Sequence, residues 1–177
     1  MRFLKYNRTA AWIALVFCVA FALLFGVWRS VSALADKTER IYTEDNARYG
    51  SAAADIAKMT RYGRELLAIA DSVLGGAADL QATLDILNDT MDSPIRQGDA
   101  VAALHAAASM AYNKILQAEN ATEQQRNSAI SYFYEITSTL QRLASNNDYS
   151  DIAKKYNRAC SVFPGNLTGF EKAATYN

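Results

Sequence analysis

Residues 9–28 read TAAWIALVFCVAFALLFGVW, twenty positions without a charged side chain. Twenty residues of α-helix rise about 30 Å, the thickness of a bilayer's hydrocarbon core. A helix closes its own backbone hydrogen bonds, so lipid tolerates it. The chain's two tryptophans, Trp12 and Trp28, stand near the two ends of the run, where amphipathic rings settle at membrane–water interfaces. The stretch is read as a single transmembrane helix. It divides the chain into a basic tail (1–8), the span (9–28) and a helical body (29–177).

A cleaved signal peptide is the competing reading. Ala33-Leu34-Ala35 before Asp36 has the small-x-small pattern of a cleavage site. Against it, the apolar run exceeds the usual ~7–15 residues of a signal peptide's core, and Arg29 interrupts the approach to the site. Cys18 follows Phe17 rather than a small residue, so it is read as a small buried apolar side chain and not as a lipoprotein cysteine.

The 18 basic and 18 acidic residues balance, and no basic stretch reaches nucleic-acid-binding density, so no nucleic-acid partner is expected. Without Arg2, Lys5 and Arg8 the remainder carries a net charge of −3. The positive-inside rule then favours a cytoplasmic N-terminus and a body outside the cytoplasm, although Arg29, Lys37 and Arg40 oppose it. Two cysteines and one histidine exclude a disulfide-rich scaffold and a Cys/His zinc cluster.

Apolar residues of the body recur at helical spacing. Ile56, Met59, Gly63, Leu66, Ala70 and Val73 form one stripe, and Ala77, Leu80, Leu84, Leu87 and Met91 a second. Val101, Leu104, Ala108, Ala111, Ile115 and Ala118 form a third, and Ile130, Phe133, Thr137, Leu140 and Ala144 a fourth. Ile152, Tyr156, Ala159 and Phe163 resume it out of phase, with a kink or a break expected at Ser145–Asp148. Gly75-Gly76 and Asp92-Ser93-Pro94 mark corners. Asp99 is an expected N-cap, and Thr122 with Gln125 has capping-box spacing. With no proline between Trp28 and Gly75, the first body helix is expected to continue the membrane helix. The fold class is all-α: a transmembrane helix followed by an antiparallel bundle of about four helices.

The search for chemistry returns little. There is no H-E-x-x-H, G-x-S-x-G, phosphate-binding glycine loop or dinucleotide fingerprint. His105 has no nucleophile or orienting partner in sequence and is read as a partly buried or groove-facing histidine. Asp85/Asp89 and Asp148/Asp151 are paired carboxylates, read as solvated helix surface rather than a cation site. Cys160 is read as a packing residue. The basic stretch at 154–158 would contact anionic lipid only if it faces the membrane. No cofactor is expected.

One string is more specific. Asp148-Tyr149-Ser150-Asp151-Ile152-Ala153-Lys154-Lys155-Tyr156-Asn157, running on to Phe163-Pro164-Gly165-Asn166-Leu167, resembles the D-Y-N-x-x-V-x-x-Y-N helix and S-F-P-[SG]-N-L turn of the LemA family. Tyr149, Tyr156, Asn157, Phe163, Pro164, Asn166 and Leu167 fall in register, and Gly169-Phe170 echoes the family's tail. The match covers about twenty residues. Ala54-Asp55-Ile56 aligns with an A-D-L-I-P-N stretch in which Lys58 replaces the proline. The resemblance implies a divergent member of a family of bacterial membrane-anchored helical bundles without established catalysis, some encoded near membrane proteases.

Tyr149, Tyr156 and Phe163, seven residues apart, are expected to form one aromatic ladder packed against other helices, with a binding groove as the second role. The expected function is a non-enzymatic scaffold or accessory in the bacterial inner membrane. It would bind another envelope protein or its own copies. The alternative is a sensor that takes a small molecule or peptide between helices near His105 and the tyrosines.

Overall fold

In the computed structural model, residues 8–44, 50–97 and 99–176 are described. Arg2 and Lys5 of the basic tail lie outside them. Helix α1 spans Arg8–Thr43, α2 Ala52–Leu74, α3 Ala78–Thr90, α4 Pro94–Gln97, α5 Ala100–Gln117, α6 Glu123–Ala144 and α7 Asn147–Ser161. A 3₁₀ turn follows at Gly165–Leu167. No strand occurs among the described residues, and the chain is all-α.

Helix α1 has two halves with different surroundings. From Ala10 to Gly26 every residue is exposed, Phe17 to 73%, and this helix is long and apolar enough to cross a membrane. Further along, Val31, Ala35, Thr38 and Tyr42 are buried on one face. Cys18 is exposed on the apolar half, which corrects its expected burial.

The expected continuity from Trp28 to Gly75 holds only as far as Thr43. Gly50 adopts φ 73°, and Ser51 then caps α2, its Oγ accepting from the Ala54 amide at 3.3 Å. A glycine and a capping serine interrupt the helix without a proline. Elsewhere the corners match the sequence. Gly75 closes α2 in the left-handed region at φ 75°. Thr122 and Gln125 form the reciprocal capping box. The Ser145–Asp148 cluster is a break, with Asn146 Oδ1 accepting from the Tyr149 amide. Asp99 stands at the N-cap of α5 but makes no side-chain cap bond.

Helices α2, α3, α5 and α6 form a four-helix core, and α1 packs with α7 as a second layer beside it. Contacts fix the direction of α2 against α6. Asp55 meets Arg142, Lys58 meets Glu135, Tyr62 meets Tyr132, and Ser72 meets Gln125; the pair is therefore antiparallel. Small residues bring the helices close. A side chain at Gly63 would collide with Leu84 and Leu104, on α3 and α5.

The first three stripes of the body are the buried ones, apart from half-buried Ala77, Met91 and Ala118. On α6 the buried set is Ala129, Ile136, Thr139 and Leu143, one position from the expected Ile130, Phe133, Thr137, Leu140 and Ala144. Ile130 is exposed. The helix carries apolar residues over a broad arc, and the small residues Ala129 and Thr139 fall on its buried side.

The Asp55–Arg142 pair ties the start of α2 to the end of α6. Asp55 is 5% exposed; Arg142 Nε donates to its Oδ2 at 2.9 Å, and Arg142 Nη2 donates to its Oδ1. Removing the partner of a buried charge costs more than the pair contributes. Arg142→Met should lower unfolding stability by about 2 kcal/mol, below the range for fully buried pairs because the arginine is half exposed. Urea unfolding in detergent, followed by circular dichroism, measures the loss. Adding Asp55→Asn should recover part of it.

Candidate functional site

The residues of the C-terminal string divide into two groups with different surroundings. Tyr149, Tyr156 and Asn157 lie on the α7 face that receives the chain's own tail. Tyr149 Oη donates to the Ala174 carbonyl at 2.8 Å, and Tyr156 Oη to the Glu171 carbonyl at 2.8 Å. Asn157 bonds one tail residue twice: its Nδ2 donates to the Ala173 carbonyl at 2.9 Å, and its Oδ1 accepts from the Ala173 amide at 2.8 Å. Its side-chain amide thus pairs with the backbone as a strand neighbour would.

The spacing has a geometric cause. Seven residues of α-helix rise about 10.5 Å. Three steps of extended chain, from Glu171 to Ala174, cover about 10 Å. Two tyrosines seven apart therefore meet carbonyls three apart on an extended segment running the other way. Gly169, at φ 73°, reverses the chain so that the tail can climb back along α7.

The tail also reaches α4, the short helix between core helices α3 and α5. The Ala174 amide donates to the Pro94 carbonyl at 2.8 Å. Tyr176 Oη donates to Gln97 Oε1 at 2.7 Å, Gln97 Nε2 donates to Tyr42 Oη at 2.7 Å, and Tyr42 Oη donates to the Met91 carbonyl at 2.8 Å. Gln97 Nε2 also donates to the Thr90 carbonyl at 3.2 Å. Tyr149 lies against the rings of both Tyr42 and Tyr176, at 5.9 and 5.3 Å between centroids. Buried polar groups are tolerated when each is satisfied, and here every link has a partner. Burial pushes the Tyr149 and Tyr176 phenols above their ordinary value.

Sequence reasoning did not single out Tyr42, Gln97 or Tyr176. Tyr42 had a usable signal, since it continues the Val31, Ala35, Thr38 spacing on α1. Gln97 and Tyr176 had none; each is defined by a partner at least 55 residues away.

Phe163, Asn166 and Leu167 take the other course. Helix α7 ends at Ser161, so the expected third rung of the ladder does not form. Phe163 is 74% exposed and Leu167 62%, and Asn166 is also exposed. The proline at 164 cannot extend the hydrogen-bond ladder, and the chain leaves the helix axis before Phe163 can reach the tyrosine face. Trp28 approaches Phe170 at 6.4 Å, while Trp12 is exposed.

His105 stands apart from the clamp. Its ring stacks on Phe133 at 5.6 Å, Tyr112 stacks on the same Phe133 ring at 4.7 Å, and Thr137 Oγ1 lies 3.3 Å from His105 Nε2. These rings fill the α5–α6 space at that level. An open cleft of about 430 Å³ lies instead between α2 and α6, beside Ser72, Gln125 and Tyr132. Asp85 accepts from Gln81 Nε2 at 2.8 Å. Among the described residues no three His, Cys, Asp or Glu side chains cluster as a metal site. Cys160 is buried.

Comparison with known protein families, with characterised proteins and with solved structures gave no match.

Asn157→Ala removes both bonds to Ala173 and should cost about 2 kcal/mol; the Ala173 and Ala174 amides should exchange faster with deuterium while α2 stays protected. A pH effect follows from the phenols. Their folded-state values lie above the unfolded value of 10.0, so the folded chain holds more protons once the pH passes that point. The stabilisation is complete below about pH 10 and declines above it. Alkaline titration at 295 nm should show a late set of phenolates appearing together with loss of helix; Tyr149→Phe should reduce that set.

Proposed function

We propose that the chain is a divergent LemA-like membrane protein. Its helical body is a non-enzymatic scaffold or accessory for another protein of the bacterial envelope. It is held by one span at the inner membrane, with the N-terminus cytoplasmic and the body outside. The observation that carries this reading is the clamp. The polar atoms of the most specific motif, Tyr149, Tyr156 and Asn157, are engaged by the chain's own tail. A motif used up in this way specifies architecture rather than substrate chemistry.

Two further features support it. The apolar half of α1 passes without interruption into the half that packs on α7, so the body is joined rigidly to the anchor. The core bundle also presents Ile130 and Tyr134, one turn apart on α6 and both exposed, to a protein partner or a second copy. Contact surfaces favour such aromatic and apolar side chains.

A photo-crosslinking residue at Tyr134, activated in intact membranes, should give bands above the monomer. Monomer alone would sink the scaffold reading. A C-terminal tag should be removed by protease in outer-permeabilised cells. Removal only after full lysis would reverse the orientation.

A further inference from the structure

The tip that closes α7 is apolar, exposed and next to the candidate span. Helix α7 runs antiparallel to α1, since the Tyr149 ring near its start lies 5.9 Å from that of Tyr42 near the end of α1. From Tyr149 to Ser161 the helix descends about 18 Å, and the same distance along α1 leads from Tyr42 to Ser30. The following turn lies lower still. Leu167 and Thr168 line a cleft of about 320 Å³ together with Phe21, Leu24, Phe25 and Trp28. Trp28 stands at the interface end of the apolar run, and Phe21 lies about 10 Å deeper along the helix.

We propose that this turn is a second membrane contact, in which Val162, Phe163 and Leu167 enter the leaflet that receives residues 21–28 of α1, the cleft between them taking lipid acyl chain. The proposal rests on the reading of residues 9–28 as a membrane span.

Three properties of the turn suit lipid. Its large side chains face outward, Val162 at 56% exposure beside the still more exposed Phe163 and Leu167. Each such side chain is stabilised when it leaves water for an apolar surrounding. Three of its amides are closed within the turn: Asn166 donates to the Val162 carbonyl, Leu167 to Pro164 and Thr168 to Gly165. Lipid demands that closure, because an unsatisfied amide has no water there to bond. Finally, exposed Lys154, Lys155 and Arg158 on α7 and Arg29 on α1 stand above the tip, where lysine and arginine reach phosphate head groups.

The test uses the full chain in vesicles of phosphatidylethanolamine and phosphatidylglycerol. Cys18 and Cys160 are replaced by alanine, and single nitroxide labels are attached at Phe163→Cys, Leu167→Cys, Phe17→Cys and Tyr134→Cys. Collision with apolar oxygen and with a polar nickel chelate reports depth. The labels at 163 and 167 should resemble that at 17, favouring oxygen severalfold over the label at 134. If 17 reports lipid but 163 and 167 report water, the second contact is overturned and the anchor survives. If 17 itself reports water, the anchor reading fails and the proposal with it. Protection of 163 and 167 from both reagents, with 17 in lipid, would mean a protein contact and also overturn the proposal. Circular dichroism of each labelled protein checks the fold, and Val162→Cys replaces any tip variant that loses helix.

Discussion

The two layers of this protein depend on a short extended tail being held in register. Residues 171–176 lie on α7 and bond α4, the link between core helices α3 and α5, at Pro94 and, through Tyr176, at Gln97. Extended chain buried without a sheet must find partners for its amides and carbonyls elsewhere. Here α7 provides them from Tyr149, Tyr156 and Asn157, and the pitch of the helix sets which carbonyls they reach. Without the tail, Gln97 would keep its donor bonds to Tyr42 and Thr90, but its side-chain oxygen would lose the Tyr176 hydroxyl. The cost of that loss is what makes the seam specific.

Because Tyr42 belongs to the same seam and to the same helix as residues 9–28, the apolar segment and the body share one continuous helix. Thr38 and Tyr42 are completely buried, with Val31 and Ala35 nearly so, and this face commits α1 to α7. A flexible linker would leave the bundle free to sample any height above the bilayer. If residues 9–28 cross a bilayer as proposed, a continuous helix would fix both the height and the rotation of the body.

The all-helical class and most boundaries were legible because they rest on local physics: apolar spacing at 3.6 residues, glycine corners, and a capping box whose two halves sit three residues apart. Where the sequence misled, the deciding contact was distant or subtle. Helix α1 ends at Thr43 and α2 restarts after Gly50 and the capping Ser51, with no proline to announce the change. The buried face of α6 runs through Ala129, Ile136, Thr139 and Leu143, and a small alanine and a polar threonine do not stand out on a helix whose apolar residues cover a broad arc. Tyr149, Tyr156 and Asn157 stood out as a motif, but their partners could not be read, since an extended tail without periodicity gives no signal of where it docks.

The same motif places tyrosine and phenylalanine in opposite surroundings, and their chemistry accounts for it. A tyrosine buried beside an extended segment brings a hydroxyl that satisfies a carbonyl, so Tyr149 and Tyr156 can lie inside. Phe163 brings no donor and would leave those carbonyls unsatisfied in the same position. It comes after the last turn of α7, beside a proline that cannot extend the helix, with its ring outward. In water such a ring is a cost. The same turn brings Leu167 and Thr168 to a cleft lined by Phe21, Leu24, Phe25 and Trp28, and beside so apolar a helix surface an aromatic ring without polar atoms is better suited than a tyrosine would be.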